Sequence, residues 1–232
     1  ISTVTGIPQS TGLTLVILVV VCAIYTFSVY FGMKGVQLSA ATCTWLFFGL
    51  LAYVFFFGGQ TRFIIEEGIT ALGNLTQNFI GLATWTDSLR TSSFPQTWTI
   101  FYWAYWMVWC VAVPFFIGSI SKGRTLRQVI LGGYVFGLSG TFTSFIIMGN
   151  YGLGLQMHGK LNVLSTYAAD GNLYHAILDI LGQLPLSKAV LVLLVLCMIT
   201  FYSTSFDSIT MVASTYTYKE LKSDEEPHRN VK

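Results

Sequence analysis

The chain has 232 residues, of which 53% are hydrophobic and only 9% charged, and its formal net charge is +2 at pH 7. A soluble domain carries roughly 25% charged residues, so polar surface this sparse points to lipid as the natural solvent, and a charge this small offers no footing for nucleic acid. The mean hydropathy of +0.65 agrees.

Five stretches are apolar and long enough to cross a bilayer as helices, which takes roughly 20 residues. In chain order they are 13–31, 38–58, 98–120, 129–149 and 189–218, the last with Asp207 inside it. Backbone polar groups in lipid must pair within the protein, and these runs are too uniformly apolar for barrel strands, so the expected fold class is all-α integral membrane. Two long connections, 59–97 and 150–187, show apolar residues at helical spacing and read as amphipathic helices on the membrane surface or against the spans. Asp170-Gly171-Asn172 is a candidate start for a helix in the second. Pro114 inside the third span predicts a kink, and Gly133 with Gly137 in the fourth predicts close helix packing.

Basic residues orient the chain. Eight of the twelve lie in three alternate connections: Lys34, the run Lys122, Arg124 and Arg127, and the tail with Lys219, Lys222, Arg229 and Lys232. Those connections are expected to be cytoplasmic, which puts the chain start outside and its end inside a multi-pass cell-membrane protein. The chain opens at Ile1 without a methionine or basic leader and reads as an internal piece of a longer protein.

Catalytic and metal chemistry find little support. Cys22, Cys43, Cys110 and Cys197 stand singly in apolar stretches, and His158, His175 and His228 are scattered. No nucleophile has a nearby base and no carboxylates pair within a span. The expectation is no enzyme and no cofactor.

Four of the six tryptophans fall within residues 98–109. At about 100° per residue, Trp98, Tyr102, Tyr105 and Trp109 share one narrow face, with Trp106 at its edge. An interfacial aromatic belt accounts for Trp98 and Tyr102. It accounts less well for Trp106 and Trp109, roughly 12 and 16 Å deeper along a helix. A cation cage is the sharper reading, because aromatic faces attract quaternary ammonium groups, which offer no strong hydrogen-bond donor. In the last span, Ser203-Thr204-Ser205-Phe206-Asp207-Ser208 interrupts the apolar run. Back-bonding of the hydroxyls to the preceding turn explains much of it. An ionisable group inside a span, Asp207, is by default a functional candidate.

Trp98, Thr99, Tyr102, Trp103 and Trp106 match the W-T-x-x-[FY]-W-x-W-W signature of the betaine/choline/carnitine transporter (BCCT) family, which the chain resembles; Tyr105 stands where the signature has a tryptophan. The 120–127 stretch, Ile-Ser-Lys-Gly-Arg-Thr-Leu-Arg, resembles the family's basic turn, and Asp224-Glu225-Glu226-Pro227 its following cytoplasmic loop. The resemblance implies about the sixth to tenth spans of an inverted-repeat, LeuT-like bundle with its site at the membrane midplane. It further implies transport of glycine betaine, choline or carnitine, a homotrimer, and a partner helix outside this chain that completes the cage. By the family pattern Tyr105 and Trp106 contribute to the cage, Trp109 lines its access side and Tyr102 accompanies them. Sodium-coupled members carry a Thr-Ser pair matched here by Thr204 and Ser205, with the Phe201 carbonyl beside it, so sodium is the expected coupling ion. The sodium-independent carnitine/γ-butyrobetaine exchangers lack that pair and place an arginine at the position of Cys43. Phe94-Pro95-Gln96 resembles those exchangers and keeps exchange as the alternative.

Overall fold

The computed structural model describes residues 2–111 and 113–218. The basic tail from Lys219 onward and Asp224-Glu225-Glu226-Pro227 lie outside the described residues. Every regular element among those described is helical.

Helix α1 (Thr11–Tyr30) starts where the Ser10 hydroxyl accepts the Leu13 N–H, a side-chain cap that satisfies one of the free donors of the first turn. It ends at Phe31, and Gly32 (φ 68°, ψ −152°) reverses the chain directly into α2 (Met33–Phe57). That backbone region is open essentially to glycine alone. The turn predicted at 32–37 is therefore tighter than expected, and Lys34 lies in the first turn of α2. Helix α3 (Thr61–Thr84) follows, bent at Asn78.

The 98–120 stretch is not one continuous helix. A π turn over Pro95–Thr99 leads into α4 (Ile100–Trp109), the helix breaks, and α5 (Val113–Ile120) resumes. Pro114 explains the resumption: it has no N–H to give to a preceding turn but fits the first turn of a new helix. The predicted kink is a full break. Helix α6 (Leu126–Met157) is longer than the 129–149 stretch, because a π turn at Phe145–Gly149 carries it on through Asn150–Met157. Its start is a capping box in which Thr125 and Gln128 satisfy each other's backbone donors. Two short helices, α7 (Val163–Asp170) and α8 (Leu173–Gly182, capped by Asn172), precede α9 (Ser187–Thr215).

Among the described residues, α1, α2, α6 and α9 are long and apolar enough to cross a membrane. Helix α9 packs chiefly on α2, then on α1. At one end of this pair Leu50, Val54, Ile64, Tyr151, Leu155, Leu181, Val190 and Cys197 form the larger core. At the other, Val29, Val36 and Met211 form a smaller one with Met33 and Phe116. The C-terminal half of α2 thus meets the N-terminal half of α9, so the two run antiparallel. The second core gathers the α1–α2 turn, the first half of α5 and the end of α9. The Phe115 and Tyr216 rings also meet edge to face there at 5.4 Å.

Close backbone approach holds the first core. A Cβ at Gly68 of α3 would come within 2.6 Å of Ile146 on α6, and Gly154 is covered by Phe63 and Gln60. In lipid, packing contacts of this kind replace the hydrophobic force between helices. No residue of α4, nor of Leu126–Ser144, is buried. A Cβ added at Gly133 or Gly137 would accordingly meet nothing within 4 Å, so neither glycine makes a close backbone approach among the described residues.

Candidate functional site

The loop that delivers the chain to the aromatic helix is built around one carboxylate. Asp87 Oδ1 accepts from the Thr91 N–H and hydroxyl at 3.1 and 2.9 Å. Its Oδ2 accepts from the Ser92 N–H and hydroxyl and the Ser93 N–H at 2.9 to 3.0 Å. Asp87, Arg90 and Ser93 all take positive φ, a strained backbone that these bonds hold. The Ser92 N–H, against the cost of burial and with help from Thr91, keeps the Asp87 carboxyl well below the usual carboxylate range. Gln96 Nε2 donates to the Thr86 carbonyl at 3.0 Å and ties the π turn to the same loop.

On α4 the rings form a ladder. Trp98 stacks on Tyr102 (centroids 6.3 Å, 24°), Tyr102 meets Phe101 edge-on, and Phe101 stacks on Tyr105 (6.1 Å, 27°). Tyr105 then touches Trp106 at 6.1 Å and Trp109 at 5.9 Å. The helical period places Trp98, Tyr102, Tyr105 and Trp109 together as their spacing predicts. Phe101, which the spacing argument passed over, bridges the two halves of the ladder; its signal was only its position one turn before Tyr105. The face is open on this chain: Tyr105 is 44% and Trp106 62% exposed, and only Trp109 is half-buried.

Two cavities lie elsewhere. One of about 730 Å³ sits between α5 and α6 beside Pro114, Arg124 and Tyr134, and one of about 660 Å³ lies among α1, α8 and α9 beside Leu13, Tyr174 and Tyr202. No ladder residue lines either.

The polar patch of α9 stays helical throughout. The Thr204 hydroxyl donates to the Thr200 carbonyl (2.7 Å), Ser205 to Phe201 (3.1 Å) and Ser208 to Thr204 (3.1 Å). This is the back-bonding expected of such residues. Each hydroxyl spends its hydrogen and keeps its oxygen lone pairs, so Thr204, Ser205 and the Phe201 carbonyl remain possible oxygen ligands. The Phe201 ring stands edge-on to Phe47 of α2 at 5.2 Å. Cys43, also on α2, is buried. The ladder and this patch are not brought together, since the principal neighbours of α9 are α2, α1, α8 and α5.

The profile of the betaine/carnitine/choline family of transporters matches residues 1–232. The chain belongs to that family. Its aromatic ladder and hydroxyl patch are thus parts of one segment of a multi-pass membrane protein of that family. Among curated relatives, a "Carnitine transporter" of Acinetobacter baumannii is 29% identical over all of this chain and 42% of its own length. The "Uncharacterized transporter YeaV" of Escherichia coli K12 is 28% identical over all of this chain and 48% of its own length. A "Probable glycine betaine transporter" of Desulfitobacterium hafniense is 29% identical over 91% of this chain and 42% of its own length. The chain therefore spans less than half the length of these relatives.

Proposed function

We propose that this BCCT segment serves in secondary active transport of a quaternary-ammonium solute (glycine betaine, choline or carnitine) across the cytoplasmic membrane, driven by sodium. The observation that carries the reading is the ladder from Trp98 through Tyr102 and Tyr105 to Trp106 and Trp109. A row of π faces offers a methylated ammonium ion a substitute for its hydration, at about 2 kcal/mol or more per desolvated contact. The names of two relatives, a carnitine and a glycine betaine transporter, point to the same solute class. The open side of the ladder is where a helix from outside this chain would close the cage.

Thr204, Ser205 and the Phe201 carbonyl are the proposed sodium ligands, because small hard cations take hydroxyl and carbonyl oxygens. Division of the chain into five spans treats α4 and α5 as the two halves of a broken one, a form common where transporters bind their solutes. Gathering of the α1–α2 turn, the short helix α5 and the end of α9 at one end supports a cytoplasmic placement of all three. Sodium-independent exchange is the second reading, favoured by Phe94-Pro95-Gln96, whose proline is buried and whose glutamine is bonded into the loop.

Uptake of labelled betaine, choline and carnitine into proteoliposomes holding the complete transporter tests both readings. Saturable uptake that requires a sodium gradient and falls on Trp106→Ala supports the proposal. Uptake indifferent to sodium but dependent on internal solute selects exchange, and uptake unchanged by Trp106→Ala removes the cage.

A further inference from the structure

Asp207 and Ser203 lie one helical turn apart on the same face of α9, and each is 0% exposed. That face meets α1 and α2. Ser28 of α1 donates its hydroxyl to Asp207 Oδ2 at 3.0 Å. The other oxygen, Oδ1, has no hydrogen-bond partner, and neither has the Ser203 hydroxyl.

Ser203 departs from its neighbours in this respect. Thr200, Thr204, Ser205, Ser208, Ser214 and Thr215 all donate to a carbonyl of their own preceding turn. A buried Ser that forgoes this bond, one turn from a buried carboxylate oxygen that also lacks a partner, makes two inward oxygens on one helix face. No ion pair found among the described residues reaches them. Lys34 and Lys188, at the starts of α2 and α9, are both exposed, and the remaining groups packed nearby on α1, α2 and α5 are uncharged, among them Val29, Val36, Cys43 and Phe116. A buried carboxylate with an unpaired oxygen is costly unless a positive charge meets it, and within a membrane span such a group marks an ion or substrate path.

We propose that Asp207 Oδ1 and Ser203 Oγ are ligands of a monovalent cation site for sodium, formed where α9 meets α1 and α2. One carboxylate among neutral hydroxyls matches a single positive charge. A divalent ion asks for more acidic ligands, and no group of three or more His, Cys, Asp or Glu side chains suited to a metal exists among the described residues. The two oxygens do not bond to each other, so a shared proton does not link them, whereas an ion of sodium's size bridges oxygens set further apart. Ser28 holds the carboxylate from the adjoining α1. Occupancy of the site thereby ties α9 to the α1–α2 pair. The site is separate from Thr204 and Ser205, which lie further round α9.

The test is equilibrium binding of radiolabelled sodium to the complete transporter in nanodiscs at neutral pH, without organic solute and with potassium as the balancing ion. It is run in a Thr204→Ala/Ser205→Ala background so that the coupling ligands proposed above are silent. A saturable sodium component should remain in that background. Ser203→Ala should weaken it, Ser28→Ala should weaken it by about tenfold through the loss of an orienting partner, and Asp207→Asn should abolish it. Absence of any component in the background overturns the Asp207 site while leaving the Thr204/Ser205 reading intact, and a component unmoved by both Ser203→Ala and Asp207→Asn overturns it equally. Should Asp207→Asn not elute as a folded species, the two serine variants decide the question, since each removes only one hydroxyl.

Discussion

The Tyr151 ring lies directly over Gly58: a Cβ on Gly58 would come within 2.7 Å of Tyr151 Cε2. This contact joins the end of α2 to the last turns of α6, at a point where Tyr151 is fully buried and its hydroxyl has no partner. Truncation and conservative replacement should therefore diverge. Tyr151→Ala opens a cavity and should cost about 3–5 kcal/mol. Tyr151→Phe removes an unsatisfied hydroxyl and should be neutral or stabilising by up to about 1 kcal/mol. Gly58→Leu, which overfills the same gap, should cost about 1–3 kcal/mol. Unfolding of the complete transporter in mixed micelles measures all three, and a Tyr151→Phe loss as large as that of Tyr151→Ala would contradict the assignment.

Gly32 makes the reversal between α1 and α2 with φ 68° and ψ −152°, and a Cβ on Gly35 would collide with the Ser28 carbonyl oxygen. Gly32→Ala should cost about 1–3 kcal/mol from backbone strain. Gly35→Ala should push α1 away from α2 near Ser28, and so lengthen the reach from Ser28 to Asp207. The two effects separate by cysteine cross-linking across the turn. Gly32→Ala lowers stability with the helix spacing kept, whereas Gly35→Ala alters the spacing.

Asp87 titrates below an unfolded carboxylate because its ionised form collects the N–H and hydroxyl groups of residues 91–93. Its contribution to stability is complete above the unfolded value near 4 and is lost only as pH falls through its lower folded value. The loop should thus stay protected in mildly acidic solution. Hydrogen exchange at Thr91, Ser92 and Ser93 should be slow through that range in the wild type and fast at every pH in Asp87→Ala. Protection lost at the pH where ordinary carboxylates titrate would contradict the geometry.

Solute and ion functions should separate by residue. Trp106→Ala should weaken binding of a quaternary ammonium by about tenfold or more, as the loss of a desolvated cation–π contact implies, with the sodium dependence unchanged. Thr204→Ala with Ser205→Ala should raise the sodium concentration for half-maximal uptake and leave the aromatic contacts in place. Tryptophan fluorescence titration reads the first effect and sodium-dependent uptake the second.

Local patterns carried much of this protein. Apolar run length and sparse charge give the helices of α1, α2, α6 and α9, because a helix in lipid satisfies its own backbone. The 3.6-residue period alone places Trp98, Tyr102, Tyr105 and Trp109 on one face of α4, since that face needs no partner to exist. Hydroxyl back-bonding at Thr204 and Ser205 is equally local. Even where local reading fell short, as at the break before Val113 and the run of α6 through to Met157, a proline and a π turn supply the reason.

Tertiary structure decided the pairings between distant residues. Ser28 reaches Asp207 from 179 positions away, and Tyr151 covers Gly58. Ser203 turns inward while its neighbours bond their own helix. None of these leaves a periodic trace, because each depends on which helix faces meet, and in lipid that choice rests on close packing and on matching buried polar groups rather than on the hydrophobic pattern.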